Sequence, residues 1–233
     1  MSVHHGPANR GRRVLRTAAP LFVREPYGPP AGGAIVLHDV FGVTGYAEAV
    51  CRLLARQGRL AVSPYLYYES GGPAFEADEL TVARAHMDSL TAQDVAADVS
   101  AALNYLAGRT VGPVLVIGFS MGGYLATWTA AHHAVQAAIA VSPSGPWAGM
   151  PPPEVLVADR RSPWLGVVGE SDLLVDADLL GMATSTPGPP AALERISGAG
   201  HGFYRAGRPR YDAEAEEESW RRICRFLQKN TLP

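Results

Sequence analysis

The stretch that decides the fold is Val114-Leu-Val-Ile-Gly-Phe-Ser-Met-Gly-Gly-Tyr124. It begins as an apolar run typical of a buried strand, contains the pattern Gly118-x-Ser120-x-Gly122, and leads directly into a helical pattern. A Gly-flanked Ser between a strand and a helix is the sequence context of a nucleophile elbow. In a chain with 25 glycines the alternative is a chance match in a loop, but the flanking strand and helix argue against it. Ser120 is therefore the candidate nucleophile.

Steric reasoning explains the spacing of this motif. An abrupt turn from strand to helix predicts a strained backbone at Ser120, and the flanking glycines leave room for the two elements to cross closely. The strain is expected to push the hydroxyl into a cleft. The N-terminus of the following helix is expected to direct free N–H groups at an anion that forms beside it.

A serine hydroxyl is a weak nucleophile and needs a base that a third group orients. Downstream apolar runs end at Asp172, in a Gly-x-x-Asp pattern, and near His201, which lies between two glycines. This chain order of nucleophile, acid and histidine favours a Ser120–Asp172–His201 triad. Asp172 is also suited to cap a helix, and Asp176 and Asp178 are rival acids past the strand end. The other histidine beside a predicted strand is His38.

Composition is that of one enzyme domain, with 233 residues, 47% hydrophobic and 18% charged. The formal net charge of −2 gives no basic field for nucleic acid. We expect a flexible head over residues 1–16, which lacks the apolar region of a signal peptide, and a domain over residues 17–233. No stretch is long enough to span a membrane, so the expected compartment is the cytoplasm. Cys51 and Cys224 both fall on the apolar side of predicted helices, which favours reduced core thiols over a disulfide or a metal pair.

Short apolar runs alternate with amphipathic windows along the chain, which predicts an α/β fold with a mostly parallel sheet. The ligand cleft of such a sheet lies beyond the carboxyl ends of its strands, where Ser120, Asp172 and His201 are placed. Two irregular segments, residues 65–75 and 142–153, either line this cleft or pack on the surface. Four strands are predicted over residues 34–38, 59–63, 114–119 and 137–141, and two more are predicted to end near Asp172 and Ile196. The predicted helices cover residues 46–57, 92–107 and about 213–228.

Five motifs together resemble the dienelactone hydrolase family of α/β-hydrolases, over about residues 30–228. They are His38-Asp-Val-Phe-Gly-Val, Ala61-Val-Ser-Pro-Tyr-Leu-Tyr, Gly118-Phe-Ser-Met-Gly-Gly, Gly169-Glu-Ser-Asp and Gly200-His-Gly-Phe. The resemblance implies a single-domain α/β-hydrolase that cleaves a small-molecule ester or lactone without a cofactor or metal. It is compatible with a monomer or a simple dimer.

The chain departs from this family at two linked positions. The family nucleophile is usually Cys, where this chain has Ser120, and a Glu that helps to ionise the thiol usually stands at the position of Asp39. A carboxylate is too weak a base to ionise a serine hydroxyl, so Asp39 cannot take over that role. Asp39 is left to hydrogen-bond the resting hydroxyl, to contact substrate, or to cap the turn.

The resemblance also assigns residues around the nucleophile. The backbone N–H groups of Val40 and Met121 match the oxyanion hole of the family, and Arg205 matches an arginine that binds the substrate carboxylate. The alternative for Arg205 is a surface residue in a basic run with Arg208 and Arg210. A second arginine of this kind does not align firmly, although Arg84 is nearby.

The sequence thus predicts a serine hydrolase that forms an acyl-enzyme intermediate. Two alternatives stay open. The same triad would serve a non-hydrolytic acyltransferase or cyclase that acts on a biosynthetic intermediate. A catalytically inert protein that binds a ligand is the other alternative.

Overall fold

The computed structural model describes residues 18–72, 74–146 and 149–231, so the head predicted over residues 1–16 lies outside the described residues. The described residues form a seven-stranded sheet flanked by helices. The strands are β1 (Leu21–Arg24), β2 (Gly32–Leu37), β3 (Arg59–Pro64), β4 (Val114–Phe119), β5 (Ala137–Val141), β6 (Trp164–Gly169) and β7 (Ala191–Ile196). The helices are α1 (Gly45–Arg56), α2 (Leu80–Ser89), α3 (Ala92–Ala107), α4 (Met121–His132), α5 (Pro153–Ala158), α6 (Ala177–Thr184) and α7 (Ala213–Thr231).

The strands lie in the order β1-β3-β2-β4-β5-β6-β7. Only the β1–β3 pair is antiparallel, and the other five pairs are parallel. This arrangement confirms the predicted α/β fold with a mostly parallel sheet. Because parallel neighbours end at the same edge, the loops after β2, β4, β5 and β6 meet there.

The central strands are buried on both faces, since successive side chains alternate between the two helical layers. On β2, Val36 belongs to the apolar cluster that includes α1 and α7, whereas Ile35 belongs to the cluster that includes α3 and α4. Helix α4 lies across the middle of the sheet, and its residues from Met121 to Ala131 are all buried. The helix that begins at the candidate nucleophile is therefore fixed along most of its length.

Local patterns located most of the longer elements but not α2, in which Ala83 is the one buried residue among ten. The strand expected at 34–38 and the helix expected at 92–107 match β2 and α3, and Thr91 caps α3 by accepting a hydrogen bond from the Asp94 N–H. The prediction for Cys224 is wrong. The adjacent Ile223 is buried, and one residue further along a helix turns the side chain by about 100°, so Cys224 faces solvent while Cys51 is buried. Both cysteines are free, as expected.

Within the described residues, no helix combines the length and the apolar character needed to cross a membrane. The cytoplasmic location and the single domain over residues 17–233 stay predictions.

Candidate active site

Ser120 lies at the junction of β4 and α4 with φ 53° and ψ −113°. A non-glycine residue at positive φ is strained by about 1–3 kcal/mol and needs support from its surroundings. The Ser120 N–H donates to the carbonyl of Val141 on β5 at 2.8 Å, and the Ser120 carbonyl accepts from the Tyr124 N–H at 3.0 Å. These bonds to neighbouring elements hold the strained turn in place.

The two glycines of the motif are required by close backbone packing. A Cβ atom at Gly118 would overlap the carbonyl oxygen of Gly122, and a Cβ atom at Gly122 would overlap the carbonyl oxygen of Leu37 on β2. The start of α4 therefore crosses both β4 and β2 at backbone contact distance. This packing aims the Ser120 side chain into the opening above the sheet.

The structure brings Ser120, His201 and Asp172 together, although Ser120 and His201 are 81 positions apart in the chain. Ser120 Oγ lies 2.9 Å from His201 Nε2. His201 Nδ1 lies 3.0 Å and 2.9 Å from the two carboxylate oxygens of Asp172. His201 follows β7 and Asp172 follows β6, so each side chain comes from the loop that closes its strand. The three side chains form one continuous chain of hydrogen bonds.

The rival residues have other partners. Asp176 accepts the Leu179 N–H and caps α6, and Asp178 pairs with Arg195 at the surface. His38 is buried, and its Nδ1 contacts the carbonyl of Asp39 at 2.7 Å. The geometry thus favours Asp172 and His201 over these rivals, in agreement with the ranking from chain order.

The side chain of Asp172 is fully buried, which by itself disfavours its charge. The hydrogen bond and the charge interaction with His201 oppose this effect, together with the Leu174 N–H that donates to Oδ1 at 3.0 Å. The nearby Ser142 hydroxyl also helps, although no hydrogen bond of good geometry joins it to the carboxylate. The net result is a pKa of Asp172 below its ordinary value. Asp172 therefore stays ionised at neutral pH and holds the ring of His201 with a proton on Nδ1.

Ser120 and His201 open into a cleft of about 1010 Å³. One side of the cleft comes from α2 and the start of α3, where the apolar residues Leu80, Met87 and Leu90 line the cleft together with Arg84 and Asp88. The expectation for residues 142–153 is confirmed by Ser144, Gly145 and Pro146, whereas no residue of the other segment, 65–75, is among the lining residues described. The remaining lining residues include Val40, Phe41, Leu174, Arg205, Arg208 and Arg210.

Asp39 and Arg205 form a buried ion pair beside the cleft. Asp39 Oδ2 lies 2.9 Å from Arg205 Nε, at an angle too poor for a hydrogen bond, and Oδ1 accepts the Phe41 N–H at 2.9 Å. The guanidinium carbon of Arg205 lies 4.4 Å from the centre of the Phe41 ring. Arg205 is thus not a surface residue of the basic run, and Asp39 both caps the turn and compensates the charge of Arg205.

Comparison with known proteins identifies the family. The model of the dienelactone hydrolase family matches residues 20–231. The chain belongs to the dienelactone hydrolase family. This dienelactone hydrolase-like protein is a hydrolase. It is 29% identical over 204 residues to a carboxymethylenebutenolidase of a Pseudomonas species, and the aligned region covers 84% of this chain and 83% of that relative.

Solved structures share the fold of this dienelactone hydrolase family member. A Klebsiella pneumoniae protein, provisionally named a dienelactone hydrolase, superposes with a TM-score of 0.75 at 24% identity and covers 91% of this chain and 93% of its own. A dienelactone hydrolase-like promiscuous phosphotriesterase from metagenomic libraries superposes with a TM-score of 0.63 at 21% identity, and the match covers 91% of this chain and 99% of the phosphotriesterase chain. At these identities the likeness concerns the fold.

In this dienelactone hydrolase family member, the Asp39–Val40 peptide unit is held firmly. Its carbonyl oxygen accepts from His38 Nδ1 at 2.7 Å and from the Gly42 N–H at 3.1 Å. Because a carbonyl can only accept, Nδ1 of His38 carries the proton, and burial lowers the pKa of His38 so that the ring is neutral. The Tyr67 hydroxyl lies 3.1 Å from the carbonyl oxygen of Val40 and 3.2 Å from Met121 Sδ. The N–H of Val40 is therefore fixed in direction.

Sequence analysis offered residues 142–153 as a cleft-lining segment but assigned no role to Ser142 or Ser144, which follow β5. Ser142 has φ 48°, lies near Asp172, and donates its N–H to Val167. Ser144 Oγ lies 2.9 Å from Ser120 Oγ, and the Ser144 N–H donates to the Ser120 carbonyl at 3.2 Å. The available signal was positional, because β5 ends beside β4 in a parallel sheet. The loop after β5 is thereby placed next to the elbow.

Proposed function

We propose that this protein hydrolyses a carboxylic ester or lactone through a Ser120–His201–Asp172 triad and an acyl-enzyme intermediate. The observation that carries the proposal is the continuous hydrogen-bonded chain from Ser120 Oγ through His201 to the buried Asp172, which opens into the cleft. Such a chain supplies a nucleophile, its base and the group that orients the base.

In the first half of the reaction, His201 Nε2 takes the proton of Ser120 as Oγ attacks the substrate carbonyl. Asp172 then stabilises the imidazolium ion through Nδ1. The negative charge on the former carbonyl oxygen is directed at the N–H groups of Val40 and Met121. Among the residues that the structure describes, none accepts a hydrogen bond from either N–H, so both are available to an oxyanion. Loss of one oxyanion donor typically costs about 3 kcal/mol.

Collapse of this intermediate breaks the ester bond, and His201 returns the proton to the leaving oxygen. In a lactone that oxygen remains attached to the acyl group. Water then attacks the acyl-enzyme with His201 again as base, and the C–Oγ bond breaks to release the acid and restore Ser120. Each half reaction therefore uses the same base in the same position.

The serine nucleophile explains how Asp39 differs from the glutamate usual in this family. Ser120 has its own base in His201, so no carboxylate has to ionise it before attack. Asp39 is then free to compensate the buried charge of Arg205, from which it lies 2.9 Å away. We assign Asp39 this positioning role and place Arg205 at the edge of the substrate site.

The substrate is proposed to carry a carboxylate as well as the scissile bond. Arg84 and Arg210 are exposed at the cleft and Arg208 is half-buried there, while Arg205 is already paired with Asp39. The lining thus holds three further arginines against one exposed carboxylate, Asp88. A guanidinium binds a carboxylate through two parallel hydrogen bonds. The apolar wall formed by Leu80, Met87 and Leu90 suits the hydrocarbon part of the same molecule.

The test is hydrolysis of short p-nitrophenyl esters and of neutral and carboxylated lactones by the wild type and by Ser120→Ala. A serine-directed phosphonate and mass spectrometry locate the adduct on the wild type. Turnover that disappears in Ser120→Ala, with an adduct on Ser120, is the expected result. Full activity of Ser120→Ala would overturn the proposal. An adduct on Ser120 without turnover of any ester or lactone would favour acyl transfer to an acceptor other than water.

A further inference from the structure

Ser144 contacts the reacting atom of the proposed triad. Its Oγ lies 2.9 Å from Ser120 Oγ, on the loop that follows β5, and it lines the cleft. A second contact, from the Ser144 N–H to the Ser120 carbonyl at 3.2 Å, fixes the loop against the elbow. Distance alone does not reveal which of the two hydroxyl groups donates in the Oγ–Oγ bond.

The proton count of the site decides the direction of this bond. His201 Nδ1 faces both oxygens of Asp172, and an ionised carboxylate only accepts, so the ring carries its proton on Nδ1. In the form in which His201 acts as the base, Nε2 carries no proton and accepts the single hydroxyl proton of Ser120 at 2.9 Å. Ser120 has no second proton to offer. The Ser144 hydroxyl is therefore the donor and Ser120 Oγ is the acceptor.

We infer that Ser144 is a catalytic residue, which donates a hydrogen bond to Ser120 Oγ in both half reactions; the inference rests on the proposed serine-hydrolase function. During acylation the O–H bond of Ser120 breaks, its proton goes to His201 Nε2, and the Oγ–carbon bond forms. During deacylation the Oγ–carbon bond breaks, its electron pair returns to Oγ, and the proton comes back from Nε2. Ser144 keeps its own proton throughout.

The tetrahedral geometry of Oγ allows this role. Cβ occupies one direction, the proton shared with His201 a second, and the bond from Ser144 a third, so the fourth direction stays open for the substrate carbonyl. Negative charge grows on Oγ as its proton leaves in acylation, and again as Oγ departs from the acyl group. A hydrogen bond strengthens when its acceptor gains charge, so the Ser144 contact stabilises the transition states more than the resting enzyme.

The experiment compares Ser144→Ala with Ser144→Thr, which keeps a hydroxyl, by pre-steady-state hydrolysis of a p-nitrophenyl ester. The burst reports acylation and the following steady state reports deacylation. We expect Ser144→Ala to slow both rate constants by about 10- to 100-fold, the effect of losing one hydrogen bond to a charged group. Ser144→Thr is expected to recover at least half of that loss on a logarithmic scale. Ser185→Ala, an exposed serine at the end of α6 that does not line the cleft, is the matched control.

The same data separate this inference from the proposed function. If the wild type shows no burst and no phosphonate adduct on Ser120, the serine-hydrolase function fails and the inference falls with it. If the wild type shows both but Ser144→Ala keeps the wild-type rate constants, or changes KM alone, only the role of Ser144 is overturned. If Ser144→Ala does not fold, Ser144→Cys replaces it, since a thiol is a weak donor and the same slowing is expected.

The pH profile adds a readout that a structural role would move. Ser144 does not titrate near neutral pH, so the loss in Ser144→Ala is expected to be equal at each pH, with an unchanged profile of kcat/KM. A displaced midpoint in that profile would mean that the substitution disturbs His201 instead, and it would overturn a direct role of Ser144 at Oγ.

Discussion

The buried Asp39–Arg205 pair makes a quantitative prediction about stability. Asp39→Asn removes the negative charge but leaves an oxygen that can still accept the Phe41 N–H, which Asp39 Oδ1 accepts at 2.9 Å. The substitution therefore isolates the charge interaction between positions 39 and 205. The side chains of Arg205 and Asp39 are only 10% and 4% exposed, so solvent screens this interaction weakly.

The magnitude follows from the geometry. Two unit charges 2.9 Å apart attract by about 6 kcal/mol at an effective dielectric constant of about 20. Part of this is lost to the desolvation of both groups, and breaking a buried pair typically costs about 3–5 kcal/mol. The poor angle at Nε and the stacking of Arg205 on Phe41 both favour the lower end. We expect Asp39→Asn to lower the free energy of unfolding by about 3 kcal/mol.

Urea denaturation of the wild type, Asp39→Asn, Arg205→Met and the double variant measures this effect. The double variant is expected to be more stable than the sum of the single losses predicts, because it leaves no unpaired buried charge. A loss below about 1 kcal/mol in Asp39→Asn, or strictly additive losses in the double variant, would refute the reasoning. The Asp39–Arg205 pair would then contribute no more to stability than an exposed ion pair does.

Three further predictions follow from the backbone, from burial and from the acid of the triad. Gly118→Ala is expected to cost about 3 kcal/mol or more in chemical denaturation because its Cβ would overlap a carbonyl oxygen, whereas Gly45→Ala, with open space around its Cβ, is expected to change stability by less than about 0.5 kcal/mol. Burial lowers the pKa of His38 from 6.5, so the unfolded state binds more protons at acid pH and the free energy of unfolding decreases as pH falls below 6.5. His38→Asn is expected to reduce the slope of the free energy of unfolding against pH by up to about 1.4 kcal/mol per pH unit, and an unchanged slope would contradict the buried neutral ring. Asp172→Asn is expected to reduce kcat by roughly 10⁴-fold at pH 7 because His201 loses the partner that fixes its proton on Nδ1, and a loss below tenfold in the ester assay would remove Asp172 from the triad.

The lowered pKa of Asp172 acts in a different pH window from that of His38. A carboxylate with a depressed folded-state pKa stabilises the protein above its ordinary value of 3.8 and loses that contribution as pH falls through the lower folded value. The change expected between pH 7 and pH 5 therefore comes from histidines and not from Asp172. Burial lowers the pKa of both His38 and His133, so the difference between the wild type and His38→Asn isolates the part due to His38.

Local sequence determined much of this protein by itself. The requirement for glycine at position 118 is local, because a Cβ atom there would overlap the carbonyl oxygen of Gly122 only four residues on. The requirement at Gly122 belongs to the tertiary structure, because the overlap there is with Leu37 on β2. The parallel sheet follows from apolar runs separated by helical patterns, and the order of strand ends ranked Asp172 and His201 first among their rivals. Short helices such as α5 and α6, and the edge strand β1, escaped prediction because a few residues carry too little periodicity.

Tertiary structure alone decided which distant groups face each other. The pairing of Asp39 with Arg205, the approach of Ser144 to Ser120, and the exposure of Cys224 depend on how loops and helices dock on the sheet. The composition of residues 65–75 resembled that of a cleft-lining loop, yet Tyr67 is buried and its hydroxyl donates a hydrogen bond to the Val40 carbonyl. Sequence patterns record the period and propensity of neighbours, whereas partners far apart in the chain are chosen by packing, charge compensation and hydrogen bonding in the folded protein.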